Sequence, residues 1–269
     1  MLAAGQVDAQ SQAADHPPDE QPGAEPGEDI VVDGLRDLDD PASPVTRSTL
    51  GSGKTGTGAS LSRATFSVSG RFARCTIHPG TSDLTTLRNV LDGAINGARQ
   101  RFWQARFVSR HAACAQDPGI ASSTGVATIE GAYDTSYYDR GALFIQALNV
   151  FAPDLVLTRK QTVDPIVQAR FNAREIPLER FRLPVDRSYF ETSVCLVRLQ
   201  PELSVRLVKT TDSPSIARLE AATINKARTC TGDARKVYFD PSQFRMYIAD
   251  AVYRWAVAAK GTDSLIPAG

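Results

Sequence analysis

Four cysteines and two histidines are the residues in this sequence best suited to specific chemistry. Cys75 precedes His78 by three positions, and His111 precedes Cys114 by the same interval. Two thiolates and two imidazoles are the ligand set that a tetrahedral zinc ion prefers, so these residues form a candidate metal site. The stretch of 32 residues between the two histidines, however, exceeds the usual spacing of a zinc finger.

The cysteines also fit a disulfide framework. Cys75 and Cys114 lie 39 residues apart in the sequence. Cys195 and Cys230 lie 35 residues apart, and this second pair has no histidines at the corresponding positions. Four cysteines allow three connectivities, and four reduced, buried thiols are a further alternative. Because disulfides explain both pairs whereas zinc explains only one, we predict one bridge within each pair, with no metal and no cofactor.

Motifs for catalysis are incomplete. Gly51–Thr55 looks like the end of a phosphate-binding loop, but Ser48 stands where that motif requires a glycine. The chain contains no Gly-x-Ser-x-Gly elbow and no His-Glu-x-x-His pair. Asp134 and Asp240 are better explained as helix caps than as acid–base groups. We therefore expect a non-enzymatic protein, the alternative being an enzyme of unknown class with its site between two structural units.

A stretch that interleaves arginines with aromatic residues is the candidate for ligand binding. Its residues at helical spacing, on one side of a predicted helix, are Arg99, Trp103, Arg106 and Arg110. Guanidinium groups bind phosphates in a bidentate manner, and aromatic rings stack or insert beside them. The alternative is a packed aromatic stripe that is covered by the aliphatic stems of the arginines. The first interpretation predicts an anion-binding face.

The charges are unevenly distributed along the chain. Residues 1–40 contain eleven acidic residues and a single basic one, Arg36, whereas residues 41–269 contain 29 basic and 19 acidic residues. We call residues 1–40 the acidic tail and residues 41–269 the basic body. The net positive charge of the body is either simply solvated, or it attracts the acidic tail, or it attracts an anionic partner. We expect that partner to be an anionic envelope component or a protein rather than nucleic acid.

Residues 1–62 are predicted to be a disordered acidic leader followed by a Gly/Ser/Thr linker. Asp29–Gly34 is a β-prone exception that looks like the TonB-box segment of outer-membrane receptors, although the remaining chain is too short for a receptor barrel. Met1–Ala4 lacks the basic start and apolar core of a complete signal peptide, and its small residues fit the remnant of one. The longest apolar run, Gly141–Ala152, is too short to cross a membrane.

Helix signals dominate the rest of the sequence. Apolar residues at helical spacing predict one long helix from Leu84 to Phe102, capped by Ser82 or Asp83. Further helices are predicted to begin at Asp134, Asp164, Ser213 and Asp240, with a capping box between Asp240 and Gln243. Short strands are predicted only around Phe66–Val68 and Leu155–Thr158. The fold class is therefore mainly α with few short strands.

Two segments, residues 66–152 and 187–258, share one order of features. Each has a cysteine, two apolar residues, a proline, helical sequence, a second cysteine and a capped amphipathic helix, which suggests an internal repeat. This order resembles small uncharacterised exported proteins of Gram-negative bacteria, in which such a unit occurs once or twice. The resemblance implies a periplasmic or secreted helical protein and brings no activity with it.

Together these patterns predict two related helical units, each with one disulfide. The predicted division is a leader and linker at residues 1–62, a first unit at 63–153, a connector at 154–186 and a second unit at 187–269. The predicted function is non-enzymatic binding or scaffolding in the periplasm, in which the basic body contacts an anionic envelope component or a partner protein.

Overall fold

The computed structural model describes residues 30–32, 58–115, 136–232, 237–239 and 241–269, and most of these residues are helical. The predicted mainly α class is therefore confirmed. Most of the predicted leader and linker lies outside the described residues. The exceptions are a short strand at Ile30–Val32, within the β-prone segment, and the beginning of the first helix at Gly58.

The elements follow one another along the chain in this order. The first part contains β1 (Ile30–Val32), α1 (Gly58–Thr76), α2 (Leu84–Leu91), α3 (Ala98–Arg110) and a 3-10 turn (Ala112–Ala115). The middle part contains α4 (Ser136–Phe151), α5 (Arg159–Thr162), α6 (Pro165–Glu179) and α7 (Pro184–Leu199). The last part contains α8 (Pro201–Lys209), α9 (Ser213–Lys226), a 3-10 turn (Arg228–Thr231), β2 (Val237–Phe239) and α10 (Pro241–Lys260). The strands β1 and β2 pair in parallel, with Ile30 opposite Val237.

Aspartate and proline residues determine where two of the predicted helices begin. The Asp164 carboxylate accepts hydrogen bonds from two backbone N–H groups of α6 at 2.8 and 3.3 Å, and Pro165 occupies the first turn. The cap of α9 is Asp212, one residue before the predicted start at Ser213, and it accepts one backbone N–H at 2.9 Å. The predicted caps at Asp134 and Asp240, and hence the capping box with Gln243, lie outside the described residues.

The prediction of one helix from Leu84 to Phe102 is wrong. The helix α2 ends at Leu91 and α3 begins only at Ala98. Between them Asn96 has a positive φ of 63°, a conformation that interrupts a right-handed helix. Gly97 then takes an extended conformation at the N-cap position of α3. Apolar spacing continues across this turn, which is why the periodicity alone did not reveal it.

Both predicted strands are also absent. Phe66–Val68 lies within α1, which begins at Gly58 and so includes the end of the predicted linker. Leu155–Thr158 forms no strand, although the backbone of Thr158 at its end is extended. In that segment Leu155 and Leu157 are buried while Val156 is 71% exposed, so its side chains alternate between core and solvent, as they would in a strand.

The helix α10 forms the centre of the molecule. Every residue from Ser242 to Ala258 is buried, including three charged ones. α10 packs against α1, α4, α6, α7, α8 and α9. The Trp255 ring stacks on Phe171 of α6 at 4.2 Å, and the Tyr253 ring meets Phe144 of α4 edge-on at 5.3 Å. A helix surrounded in this way holds together elements from all parts of the chain.

One hydrophobic core therefore spans both predicted units and the predicted connector. It includes Phe72 and Leu87 from the first unit, Phe171 from the connector, and Phe244 and Trp255 from the second. The connector contributes a packed helix, α6, rather than a simple link. The relationship of the two units by duplication stays a prediction.

Both predicted disulfides are present. Cys75, in the last turn of α1, is bonded to Cys114 in the 3-10 turn after α3. Cys195, in α7, is bonded to Cys230 in the 3-10 turn after α9. Each bridge thus fixes the 3-10 turn that follows one helix to a helix that comes earlier in the sequence. None of the helices in the described part of the chain has the length and apolar character needed to cross a bilayer.

Candidate anion-binding face

The predicted anion-binding residues lie on α3, but they do not all remain available. Arg99 and Arg106 are exposed, and Trp103 is partly buried with its ring packed against the core. The Arg106 guanidinium lies 6.0 Å from the centre of the Trp103 ring, at the outer limit of a cation–π contact. Within the described part of the chain, no carboxylate forms an ion pair with Arg99 or Arg106.

Arg110 is different because it is used to hold α3 against α2. Its guanidinium donates hydrogen bonds to the Asp83 carboxylate at 3.1 and 3.2 Å and to the Thr86 hydroxyl at 3.2 Å. Partial burial acts to raise the pKa of Asp83, but the hydrogen bonds from Thr86 and Arg110 outweigh it and lower that pKa. Asp83 stands at the N-cap position of α2, as predicted, but its side chain makes no capping hydrogen bond to the helix.

A cavity of about 710 Å³ opens beside the N-terminus of α3. Arg88 and Asn89 of α2, the turn at 92–97, and Ala98 and Arg99 of α3 form one side. Phe181 and residues 263 and 268–269 contribute to its walls as well. The volume falls within the range of small-molecule sites. The cavity therefore lies where the first predicted unit meets the connector and the end of the second unit.

The turn between α2 and α3 explains why this cavity exists. A Cβ at Gly93 would lie 2.5 Å from the backbone oxygen of Asn89, and one at Gly97 would lie 2.9 Å from that of Ala94. Only glycine fits at such close approaches of the backbone. The cavity wall here is consequently backbone and small side chains, and the Arg99 guanidinium donates a hydrogen bond to the Asn89 side-chain oxygen at 3.3 Å.

The charged side chains that line the cavity belong to two arginines and two aspartates. The arginines are Arg88 of α2 and Arg99 of α3. Asp92 also lines the cavity, but its carboxylate accepts hydrogen bonds from Arg174 at 2.7 Å and from the Tyr253 hydroxyl at 3.0 Å. The remaining carboxylate side chain among the described lining residues is the exposed Asp263. This arrangement favours an anion near the two arginines.

A second group of charged residues is buried in the core and is not open to a ligand. This buried charge cluster consists of Arg140, Glu175, Arg182, Asp186, Asp250 and Arg254. Arg254 pairs with Asp250 at 2.6 Å and with Glu175 at 2.5 Å, and Arg182 pairs with Asp250 at 2.7 Å. Three positive and three negative groups balance one another, so the cluster can orient α4, α6, α7 and α10 without a net buried charge.

The alternative zinc site is not formed. The sulfur atoms of Cys75 and Cys114 are bonded to each other, so neither is a thiolate that could coordinate a metal. His78 and His111 instead make local contacts: the His78 ring accepts from the backbone N–H of Gly80 at 3.2 Å, and a His111 ring nitrogen lies 2.9 Å from the Phe107 carbonyl oxygen. No group of three or more ligating residues occurs among the described residues.

Arg88 and Phe181 were missed by the sequence analysis, as was the turn that brings them to the same cavity. The Asn96-Gly97 dipeptide was an available signal, because Asn-Gly marks turns. Nothing in the sequence placed Phe181 near α2, since the two are separated by about ninety residues. Comparisons of the chain with protein-family models, with curated proteins and with solved structures found no match.

Proposed function

We propose that this is a non-enzymatic periplasmic binding protein that contacts an anionic envelope component through the face formed by Arg88, Arg99, Trp103 and Arg106, which we term the arginine face. The observation that carries the proposal is that the exposed Arg99 and Arg106 of α3 lie on one side of that helix, and that Arg99 lines a cavity together with the half-buried Arg88 of α2. The excess of basic residues in 41–269 supports it, because a net positive body attracts anions over a longer range than single contacts do.

The two disulfides support the periplasmic or secreted location. Disulfides of this kind form and persist in oxidising compartments and are rare in the cytosol. The bridges Cys75–Cys114 and Cys195–Cys230 each close a long loop, as structural disulfides of exported proteins do.

The composition of the cavity favours binding over catalysis. Its described lining residues include two arginines and two aspartates but no histidine, cysteine or serine. Thr85 is the only hydroxyl side chain among these lining residues, and no histidine stands beside it as a base. One of the two aspartates is already paired with Arg174. The enzyme alternative placed a site between the two units, where this cavity lies, but the groups present there suit an anion better than a reaction.

Retention by anionic vesicles tests the proposal. The purified chain with intact disulfides is mixed with phosphatidylglycerol vesicles or phosphatidylcholine vesicles at low ionic strength and again at about 0.5 M NaCl. We expect sedimentation with the anionic vesicles alone, lost at high salt. The double variant Arg99→Ala/Arg106→Ala is expected to bind less, while Arg206→Ala/Arg228→Ala, which removes two exposed arginines elsewhere, serves as the matched control.

Two results would overturn the proposal. One is no retention by anionic vesicles even at low salt. The other is an equal loss of vesicle binding in both double variants, which would mean that the net charge of the protein rather than the arginine face is responsible for binding. Selective capture of an acidic protein in the absence of any vesicle binding would replace the envelope component by a protein partner.

A further inference from the structure

We infer that the cavity beside α3 is a subsite for a single-chain amphiphilic anion, a phosphate or carboxylate head group on an apolar body. The inference deepens the proposed function, because Arg99 belongs to both the arginine face and the cavity. It adds a requirement that surface attraction does not have, namely that the ligand must also fit a half-open cavity with largely apolar walls.

The head-group position is assigned to Arg88 of α2 and Arg99 of α3, which both line the same cavity. The first backbone N–H groups of α3 reinforce this position. Gly97 stands at the N-cap and offers no side-chain oxygen to them, so they are left uncapped by any side chain beside the two arginines. Uncapped N–H groups together with guanidiniums suit a phosphate or a carboxylate.

The body of the ligand is defined by the other walls. These walls are formed largely by alanines, glycines and one aromatic ring: Gly93, Ala94, Gly97, Ala98, Phe181 and Ala268. Phe181 leaves 40% of its surface exposed, with the Arg180 guanidinium 4.6 Å from its ring centre. Phe102, one helical turn beyond Ala98, is 58% exposed. Covering apolar surface of this kind is favourable at about 25 cal/mol per Å².

The combination excludes simpler ligands. An inorganic anion would satisfy the arginines but leave the apolar walls exposed to water. A neutral amphiphile would cover the walls but leave the guanidiniums without a counter-charge. A ligand that carries both parts uses every wall described, and the volume of about 710 Å³ accommodates a medium-length chain with its head group.

Decyl phosphate is a suitable probe, used below its micelle-forming concentration while circular dichroism monitors the helices. Isothermal titration calorimetry should show saturable binding of one decyl phosphate per chain. Inorganic phosphate and the neutral decyl maltoside should bind much more weakly. Arg88→Gln/Arg99→Gln should weaken decyl phosphate binding about tenfold or more, because two charge-assisted contacts are lost.

A second variant separates this inference from the proposed function. Ala98→Trp fills the cavity from an exposed position on α3 and should abolish decyl phosphate binding while vesicle retention persists. Ala217→Trp, at an exposed position of α9, is the matched control and should bind decyl phosphate normally. Unchanged binding by Ala98→Trp, or inorganic phosphate binding as tightly as decyl phosphate, would overturn the subsite whether or not vesicles are retained.

Discussion

At the scale of single residues, Asp250 is a buried charge that two ion pairs hold in place. Its two oxygens accept from Arg254 at 2.6 Å and from Arg182 at 2.7 Å, in a part of the core that excludes water. Removal of one partner from such a cluster leaves the others buried and uncompensated, which costs more than the original pair contributes. Asp250 therefore holds two arginines in place, one from the turn between α6 and α7 and one from its own helix.

We expect Asp250→Ala to lower the free energy of unfolding by about 3–5 kcal/mol, because two buried guanidiniums lose their shared counter-ion. Urea denaturation followed by circular dichroism measures the change. Asp263→Ala, which removes an exposed carboxylate, should leave the midpoint nearly unchanged. An Asp250→Ala protein as stable as the Asp263→Ala control would show that water or a rearrangement of the side chains compensates the two arginines for the lost carboxylate.

The same residue gives the protein a dependence on acid. Burial acts to raise the pKa of Asp250, but Arg254, Arg182 and Arg140 outweigh it and lower the pKa from 3.8 to about 2. A carboxyl with a lowered pKa stabilises the fold fully above its unfolded value of 3.8 and loses this contribution as the pH falls through about 2. The shift corresponds to about 2 kcal/mol.

We therefore expect the stability difference between the wild-type protein and Asp250→Asn to shrink as the pH is lowered from about 5 towards 2. The asparagine keeps the shape of the side chain but does not titrate, so other carboxyl groups contribute equally to both proteins. Urea midpoints at a series of pH values provide the measurement. A constant difference across this range would assign the acid sensitivity to other groups.

At the scale of elements, the contact between α4 and α10 depends on the absence of a side chain at Gly141. A Cβ at Gly141 would lie 2.6 Å from the Cβ of Met246 and closer still to its outer atoms. Gly141 is therefore required for the approach of these two helices, although glycine by itself weakens a helix. The tight approach also sets the positions of Phe144 and Tyr253, whose rings meet edge-on at 5.3 Å.

Gly141→Ala is expected to destabilise the protein by about 1–3 kcal/mol, because the added methyl group forces α4 and α10 apart. Gly70→Ala in α1 is the matched control, since there the new methyl would lie 3.4 Å from an Arg74 guanidinium nitrogen, an ordinary contact. The control should be neutral or stabilising by up to about 1 kcal/mol, because alanine favours helix. Equal effects of the two substitutions in thermal unfolding would contradict the close approach.

Two helix starts were predicted closely from the sequence, whereas the helices α1 and α7 were not predicted at all. Local signals sufficed for α6 and α9, where an aspartate precedes a helix that has proline in its first turn. They failed at the turn between α2 and α3, because apolar periodicity continues through it while Asn96 and Gly97 change the direction of the backbone. The cavity lies beside this turn. The wrong prediction of a single helix and the failure to predict the cavity therefore have the same cause.

At the scale of the whole molecule, the sequence predicted the class and the disulfides but not the central position of α10. Its apolar residues from Phe244 to Trp255 predicted one buried face, whereas Arg245, Asp250 and Arg254 on the other sides are buried too. A charged residue in a sequence is expected to lie at the surface unless a partner that would pair with it in the core is known. The partners of Arg254 include Glu175, 79 residues away in the chain, which no local pattern reveals.

The shared core and the two disulfides together predict how the protein unfolds. Because α10 contacts helices from both predicted units, we expect one cooperative transition rather than two. Trp103 on α3 and Trp255 on α10 are the two tryptophans of the chain and report on different parts of it. The variants Trp103→Phe and Trp255→Phe, each with one remaining tryptophan, should therefore give fluorescence transitions that match circular dichroism of the same variant.

Removal of either bridge should lower the midpoint seen by both tryptophans. Cys75→Ala/Cys114→Ala and Cys195→Ala/Cys230→Ala open loops of 39 and 35 residues, and chain entropy predicts a loss of about 3–4 kcal/mol for each pair. If loss of one bridge shifts only the transition seen by the tryptophan of its own unit, the units unfold separately and the core does not couple them.

The state of the cysteines can be tested directly by alkylation. Alkylation without reductant should label no cysteine in the wild-type protein, and reduction should expose all four. Labelling of the native protein before reduction would show that the bridges are absent, and the main support for an oxidising compartment would be lost.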